Sequence, residues 1–175
     1  MPGQEIDIIK ITEGEIELLR KISVLTFTET FSDQNSDADM QKYIQENLSV
    51  QKLLTELHTI GSEFYFLRAT DNVIGYLKLN RGLAQTEKQS HDSLEIERIY
   101  VCREFHGKGF GNLLLKQAIN SAEDQQLKYI WLGVWEQNHK AISFYKKNGF
   151  IQFDTHVFKL GEDEQTDILM KLELN

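Results

Sequence analysis

The chain is poor in proline, cysteine and cations, and it has no long apolar run. Proline occurs once in 175 residues, so no Pro-rich linker divides the chain. A single cysteine, Cys102, excludes an internal disulfide and fits a reducing, cytoplasmic setting. No stretch approaches the apolar length that spans a bilayer, and the N-terminus lacks the basic-then-apolar pattern of a leader. Only 19 Lys and Arg stand against 27 Asp and Glu, a formal net charge of −8. That balance argues against broad nucleic-acid binding, which needs a basic face. His58, His91, His139 and His156 show no zinc-ligand spacing, so no metal is expected. What is left is an ordinary globular composition, 41% hydrophobic, with length for one domain over residues 1–175.

Periodicity divides the chain as follows. Residues 5–11 alternate as a strand, and Thr12 is placed to cap a following helix with Glu13 and Glu15 at its positive end. Ile16, Leu19, Ile22, Phe27 and Phe31 recur every three to four residues, a helical stripe. Residues 38–47 and 50–60 read as two further helices, the second capped by Ser49. Residues 62–70 and 73–80 form a hairpin about Asp71-Asn72. Residues 81–93 are polar and read as a mobile loop. Further strands are expected at 94–101, 128–134, 150–160 and 165–174, the last two as an antiparallel pair. Between them lie a helix striped by Leu113, Leu114, Ala118, Ile119 and Ala122 and a second, short helix. Strand, helices, three strands, helix, strand, helix, two strands is the order of one mixed α/β sheet.

The segment from Leu94 to Ala118 is the most informative. Leu94, Ile96 and Tyr100 are read onto one strand face, with Arg98 breaking the pattern. Glu95, Glu97, Ile99 and Val101 are read onto the other. Gly107, Gly109 and Gly111 then strip side chains from a turn that opens a helix. The unpaired amides and partial positive charge of a helix N-terminus suit a phosphate or pyrophosphate. Neither a Walker loop nor the GxGxxG dinucleotide fingerprint is present. Two carboxylates just before a phosphate cradle point to an enzyme.

A second motif runs from Trp131 to Phe150: a buried strand, Asn138 as N-cap, and an amphipathic helix ended by Asn148-Gly149. Asn138 and Tyr145 are two helical turns apart and share a face. Together the glycine turn and the pattern N-x-x-A-x-x-F-Y-x-x-x-G-F resemble the GNAT superfamily of acetyl-CoA-dependent N-acetyltransferases, over nearly the whole chain. The resemblance implies an α/β (α+β) fold with a mixed, mostly antiparallel central sheet, flanking helices, and two central strands that splay apart to admit the pantetheine arm.

It also implies roles. Backbone groups of Ile99, Tyr100 and Val101 would hold the pantetheine arm and the oxyanion. The turn His106, Gly107, Lys108, Gly109, Phe110, Gly111 and Asn112 would hold the pyrophosphate of acetyl-CoA, with Asn138 and Lys147 nearby. His106 stands where the family carries Gln or Arg, and there it would donate to a phosphate. Tyr145 would protonate the leaving thiolate. An alkylammonium must lose a proton before it attacks; Glu97 is the first candidate for that base, matching a glutamate of the polyamine acetyltransferases. Glu95, matching the histone-acetylating branch, is the second. A covalent route through Cys102 is unnecessary where the amine attacks directly.

Within the superfamily the phrases Leu94–Tyr100, Ile130–Glu136 and Glu164–Asp167 resemble the bacterial PaiA-type spermidine/spermine acetyltransferases. A polycationic acceptor fits the acidic balance, with Glu29, Asp33, Asp37 and Trp135 as candidate acceptor contacts. The competing readings are a protein N-terminal or lysine acetyltransferase and a non-catalytic acyl-CoA-binding regulator. A homodimer is expected by family analogy alone.

Overall fold

A computed structural model describes residues 5–175. The single-domain expectation and the N-terminal reading extend to residues 1–4, which lie outside the described residues. The elements follow the expected order: β1 (Ile6–Lys10), α1 (Ile16–Phe31), α2 (Asp37–Asn47), α3 (Val50–Leu57), β2 (Ser62–Ala69), β3 (Asn72–Arg81), β4 (Ser93–Val101), α4 (Phe110–Asp124), β5 (Tyr129–Trp135), α5 (His139–Lys147), β6 (Ile151–Leu160) and β7 (Asp163–Glu173). The entry to α1 is fixed as the sequence implies, Glu15 Oε2 accepting from the Thr12 amide at 2.9 Å. Ser49 caps α3 by accepting from the Lys52 amide. The hairpin turn falls one residue earlier than expected, on Thr70-Asp71, because Ala69 pairs with Asn72.

The strands form one seven-stranded sheet in the order β1-β2-β3-β4-β5-β7-β6. Every neighbouring pair is antiparallel except β4 and β5. Helices cover both faces, each burying one apolar stripe. On one face, Leu114, Leu115, Ala118 and Ala122 of α4 pack on Leu77, Leu79, Leu94, Ile96, Ile130 and Leu132. Each fully buried leucine contributes about 2 kcal/mol. The stripe differs from the sequence reading by one position: Leu115 is buried and Leu113 is 38% exposed, because 114, 115, 118 and 122 hold the helical spacing and 113 lies off it. On the other face, Leu19, Ile22, Phe27 and Phe31 of α1 and Leu53 of α3 pack on Phe64, Phe66 and Tyr76.

β4 corrects a second expectation. Its register against β3 jumps between Lys78↔Arg98 and Leu79↔Ile96, leaving Glu97 as the extra residue of a β-bulge. The bulge resets the alternation. Ile99 and Val101 therefore join Leu94 and Ile96 on the α4 face, while Tyr100 packs with the α1 face. Arg98, which breaks a strict two-residue pattern, is explained by the same bulge. β4 and β5 pair in parallel only from Ser93↔Tyr129 to Glu95↔Trp131. Beyond that the bulged strand stays with β3 as far as Val101, and the two central strands splay.

The loop between β3 and β4 is tied down, not mobile. Gln85 Oε1 accepts from Trp131 Nε1 at 2.7 Å and from Ser93 Oγ at 2.8 Å. Thr86 donates its amide to Glu95 Oε2 at 2.8 Å. Polar residues here are used to bond a loop to the sheet, so polarity alone does not measure mobility.

Candidate active site

The splay opens a cleft of about 1410 Å³ that runs between β4 and β5 to the N-terminus of α4. Past Glu95, the edge of β4 that faces β5 has lost its neighbour, so its backbone groups from Ile99 to Val101 line the cleft. At the mouth, Gly107 and Gly109 take φ of +75° and +84°, a conformation that costs a side-chain-bearing residue about 1–2 kcal/mol. Gly109 is the N-cap of α4. Among the described residues, the amides of Gly107, Lys108, Gly109, Phe110 and Gly111 find no carbonyl partner, whereas that of Asn112 donates to Gly109 at 3.1 Å. Five free amides at the positive end of a fifteen-residue helix make a ready anion site.

The opposite wall comes from α5. Asn138 Oδ1 caps that helix, accepting from the Ala141 amide at 3.2 Å, which leaves its Nδ2 available to a ligand. Two turns on, Tyr145 is only 6% exposed, packed against Phe144 and Phe150. Its hydroxyl has no partner among the described side-chain hydrogen bonds, and the residue lines the cleft. Burial raises its pKa well above the ordinary phenol range, so the group is held protonated.

Glu95 and Glu97 both reach the cleft, but their surroundings differ. Asn80 Nδ2 donates to both, at 3.0 Å to Glu95 and 2.6 Å to Glu97. Glu95, 3% exposed, also accepts from the hydroxyl and amide of Thr86 and meets no cation. Burial raises its pKa, with the Thr86 and Asn80 hydrogen bonds opposing and the charge of Glu97 assisting. Glu97 is half-buried and also carries a desolvation cost, but Arg98 and Lys78 outweigh that cost and hold its pKa below the ordinary range. Lys78 forms an ion pair with it, and Arg98 Nη2 lies 3.4 Å away. Glu56 of α3 closes the group, taking Arg98 in a two-pronged contact at 2.8 and 3.0 Å and Lys78 at 3.1 Å. The four charges of Glu56, Lys78, Glu97 and Arg98 cancel. Glu95 is the uncompensated negative charge at the floor of the cleft.

Several residues singled out from sequence sit differently than expected. His106 lines the cleft, but its Nε2 donates to the Val101 carbonyl at 2.7 Å, so that nitrogen braces the end of β4. Lys108 folds back over the Phe105 ring, 5.1 Å from its centroid. Lys147 lies outside the lining of the cleft, in a shallow depression that adjoins it through His139 and Lys140. Glu29 reaches the cleft, yet its Oε2 accepts from the Arg103 amide at 2.9 Å, which ties α1 to the turn after β4. Asp33 and Trp135 line the cleft, where Trp135 meets Phe31 at 5.3 Å between centroids. Asp37 lies in the first turn of α2, outside that lining. The Cys102 thiol is buried, and burial together with Glu29 and Glu104 pushes its pKa up to about 11, so it carries little nucleophilic thiolate.

Sequence reasoning missed Asn80, Thr86, Lys78 and Glu56. They reach β4 from β3, the following loop and α3, so only the strand register and helix docking reveal them. No group of three His, Cys, Asp or Glu side chains among the described residues is placed to hold a metal ion. No helix there is long and apolar enough to cross a membrane.

Comparison with known proteins agrees with this geometry. An N-acetyltransferase from the pepI 3′ region of Lactobacillus delbrueckii subsp. lactis, itself uncharacterized, is 40% identical over 97% of this chain and 98% of its own length. A spermidine N(1)-acetyltransferase of Thermoplasma acidophilum is 29% identical over 86% of this chain and 91% of its own. Among solved structures, the PaiA N-acetyltransferase of Thermoplasma acidophilum in complex with coenzyme A superposes with a TM-score of 0.80 at 24% identity, covering 97% of this chain and 99% of that one. Residues 17–150 match the profile of the Acetyltransferase (GNAT) family; with its splayed parallel pair and amide-lined helix end, the chain belongs to that family and is an acetyltransferase.

Proposed function

We propose that this chain transfers the acetyl group of acetyl-CoA to a primary amine of a small polyamine, by direct attack in a ternary complex. The observation that carries the reading is the pairing of two features in one cleft: free amides suited to a diphosphate at its mouth, and the uncompensated Glu95 at its floor. An anionic cosubstrate enters at one end and a cationic acceptor at the other. The relative named for spermidine and the neighbour solved with coenzyme A support the same assignment.

Bound acetyl-CoA supplies an activated acyl group. The amides of residues 107–111 hold its diphosphate, and Asn138 Nδ2 meets the arm from the other wall. The free edge of β4 orients the arm and offers donors toward the developing oxyanion. Glu95 takes the ammonium proton, directly or through a water, because burial keeps it basic enough. Glu97, neutralised by Lys78 and Arg98, serves as scaffold for Glu95 through their shared Asn80. This reverses the order of preference between the two glutamates drawn from sequence. Tyr145 holds the proton that the departing thiol requires. One domain over residues 1–175, acting as a cytoplasmic homodimer, belongs to the same proposal.

A thiol-release assay with acetyl-CoA against spermidine, spermine, simple monoamines and peptides tests it. Turnover with polyamines above peptides is expected. Turnover with peptides alone would replace the acceptor by a protein, and coenzyme A binding without turnover on any amine would remove the catalytic reading.

A further inference from the structure

Two titratable groups in the lining of the cleft, His156 and Asp167, and a third behind them, Glu87, are not used by the mechanism above. His156 on β6 and Asp167 on β7 are directly paired, and both line the cleft. Glu87 reaches them from the loop between β3 and β4. His156 Nδ1 lies 2.5 Å from Glu87 Oε1, and its Nε2 lies 3.6 Å from Asp167 Oδ2. Neither contact is an aligned hydrogen bond, and Nδ1 is buried without a hydrogen-bond partner.

The placement follows from the fold. Trp131, Gly133 and Trp135 of β5 share one sheet face with Glu95, which pairs with Trp131, and with Asp167, which pairs with Trp135. Asp167 and His156 lean over Gly133: a Cβ added there would meet Asp167 Oδ2 at 3.3 Å and His156 Cε1 at 3.6 Å. The loop cannot carry Glu87 away, because Gln85 and Thr86 beside it are bonded to Trp131 and Glu95. By strand geometry the backbones of Glu95 and Gly133 are roughly 8 Å apart, two residues of rise and one interstrand spacing. A short aminoalkyl chain spans that distance.

The charge state sets this cluster apart from the one around Glu97. There, each carboxylate has its own Lys or Arg. Here, among the described residues, no Lys or Arg pairs with Glu87 or Asp167; a single imidazole stands between two acids. Burial raises the pKa of Asp167, partly opposed by His156 and reinforced by Glu87, the condition that an added cation relieves. The buried His156 Nδ1, left without an aligned hydrogen bond beside this lining, is a polar atom that the fold by itself does not satisfy.

We propose that Glu87 and Asp167, arranged about His156, form a subsite for the second ammonium of the acceptor, which makes the chain selective for α,ω-diamines and longer polyamines over monoamines. This rests on the amine-acetylating reading of the cleft and adds the anchor that measures acceptor length. The reacting amine sits toward Glu95 and Tyr145, and the distal ammonium sits near Gly133 against Asp167, with Glu87 adding its charge from behind His156. The Trp131 and Trp135 rings flank the path, apolar surface suited to methylenes.

The test compares butylamine with 1,4-diaminobutane and spermidine in the thiol-release assay. The wild-type protein is expected to favour the diamine in kcat/KM. Asp167→Asn and, separately, Glu87→Gln are each expected to lower the diamine-to-monoamine ratio of kcat/KM about tenfold, mainly through KM, as loss of a charged hydrogen-bond partner does. Glu87 lies on a surface loop, so its variant carries the test if Asp167→Asn fails to fold. An unchanged ratio in the folded variants, with both amines still acetylated, overturns the subsite and leaves the proposed function standing. No acetylation of any amine by the wild-type protein overturns both.

Discussion

Glu95 of β4 and Trp131 of β5 are the last residues at which the two central strands pair. Two residues further on, the bulge at Glu97 bends β4 toward β3 and the strands part. The same pair therefore marks the floor of the cleft and the place where a buried carboxylate meets the space for a ligand. Below it the sheet is continuous and covered by helices. Above it, one wall is bare backbone and the other is Asn138 and Tyr145.

Tyr145→Phe isolates the proposed acid. Its hydroxyl makes no bond to the described protein, so removing it leaves no buried partner stranded and the packing on Phe144 and Phe150 is kept. Thermal stability is expected to be unchanged or slightly raised, and acetyl-CoA affinity, measured by calorimetry, unchanged. Turnover is expected to fall about a hundredfold or more, the usual contribution of a positioned general acid. Unaltered turnover would remove Tyr145 from the proton path.

The two glutamates separate by substitution to glutamine. Glu95→Gln leaves the Thr86 and Asn80 contacts with an amide to rearrange around, and is expected to cost about a hundredfold in kcat with a small change in stability. Glu97→Gln strands Lys78 and Arg98 with Glu56 as their one remaining carboxylate partner. A broken buried ion pair costs about 3 kcal/mol, so denaturant titration is expected to show the larger loss here. If Glu97→Gln abolishes turnover while keeping full stability, the assignment of base and scaffold is reversed.

The element order, the glycine cradle and the helix that carries Tyr145 are legible in the sequence because each rests on local signals. Asn138 caps where an asparagine before an amphipathic run should, and Gly107 and Gly109 adopt the positive φ that only glycine takes cheaply. The difference between Glu95 and Glu97 is only partly local. Arg98 beside Glu97 lowers its pKa, but the rest comes from Lys78 across the strand pair and from the Thr86 and Asn80 contacts, which the sequence does not place. Strict alternation also misplaces Ile99 and Val101, since a one-residue bulge reverses every face beyond it. His106 shows the same limit. Its position in the motif suggests a phosphate contact, and the fold spends one of its nitrogens on the Val101 carbonyl.

Gly109→Ala tests the cradle. No atom lies within 4 Å of the added Cβ, so its cost is the left-handed backbone alone. That cost is about 1 kcal/mol, a modest fall in melting temperature. The methyl group stands among the free amides that would receive a diphosphate, so KM for acetyl-CoA is expected to rise about tenfold or more while the amine KM stays put. Equal affinity for acetyl-CoA in the variant would place the diphosphate elsewhere.

The opposite pKa shifts of the two glutamates make a further prediction, in which stability and activity move on different sides of the ordinary glutamate range. Glu97 is held below that range: it binds fewer protons folded than unfolded, so its contribution is full above the unfolded pKa and is lost as pH falls through the folded one. Glu95 is held above it: its contribution is present at low pH and is lost as pH rises through its folded pKa. Denaturant midpoints are therefore expected to fall steeply on acidification below about pH 4.5, and Glu97→Gln is expected to flatten that fall. Activity needs Glu95 ionised, so the acid limb of kcat/KM is expected to have its midpoint above the ordinary glutamate value. That limb should persist in Glu97→Gln and vanish in the residual activity of Glu95→Gln. A limb that follows Glu97 instead, or one with its midpoint below the glutamate range, would show that the proton leaves by another group.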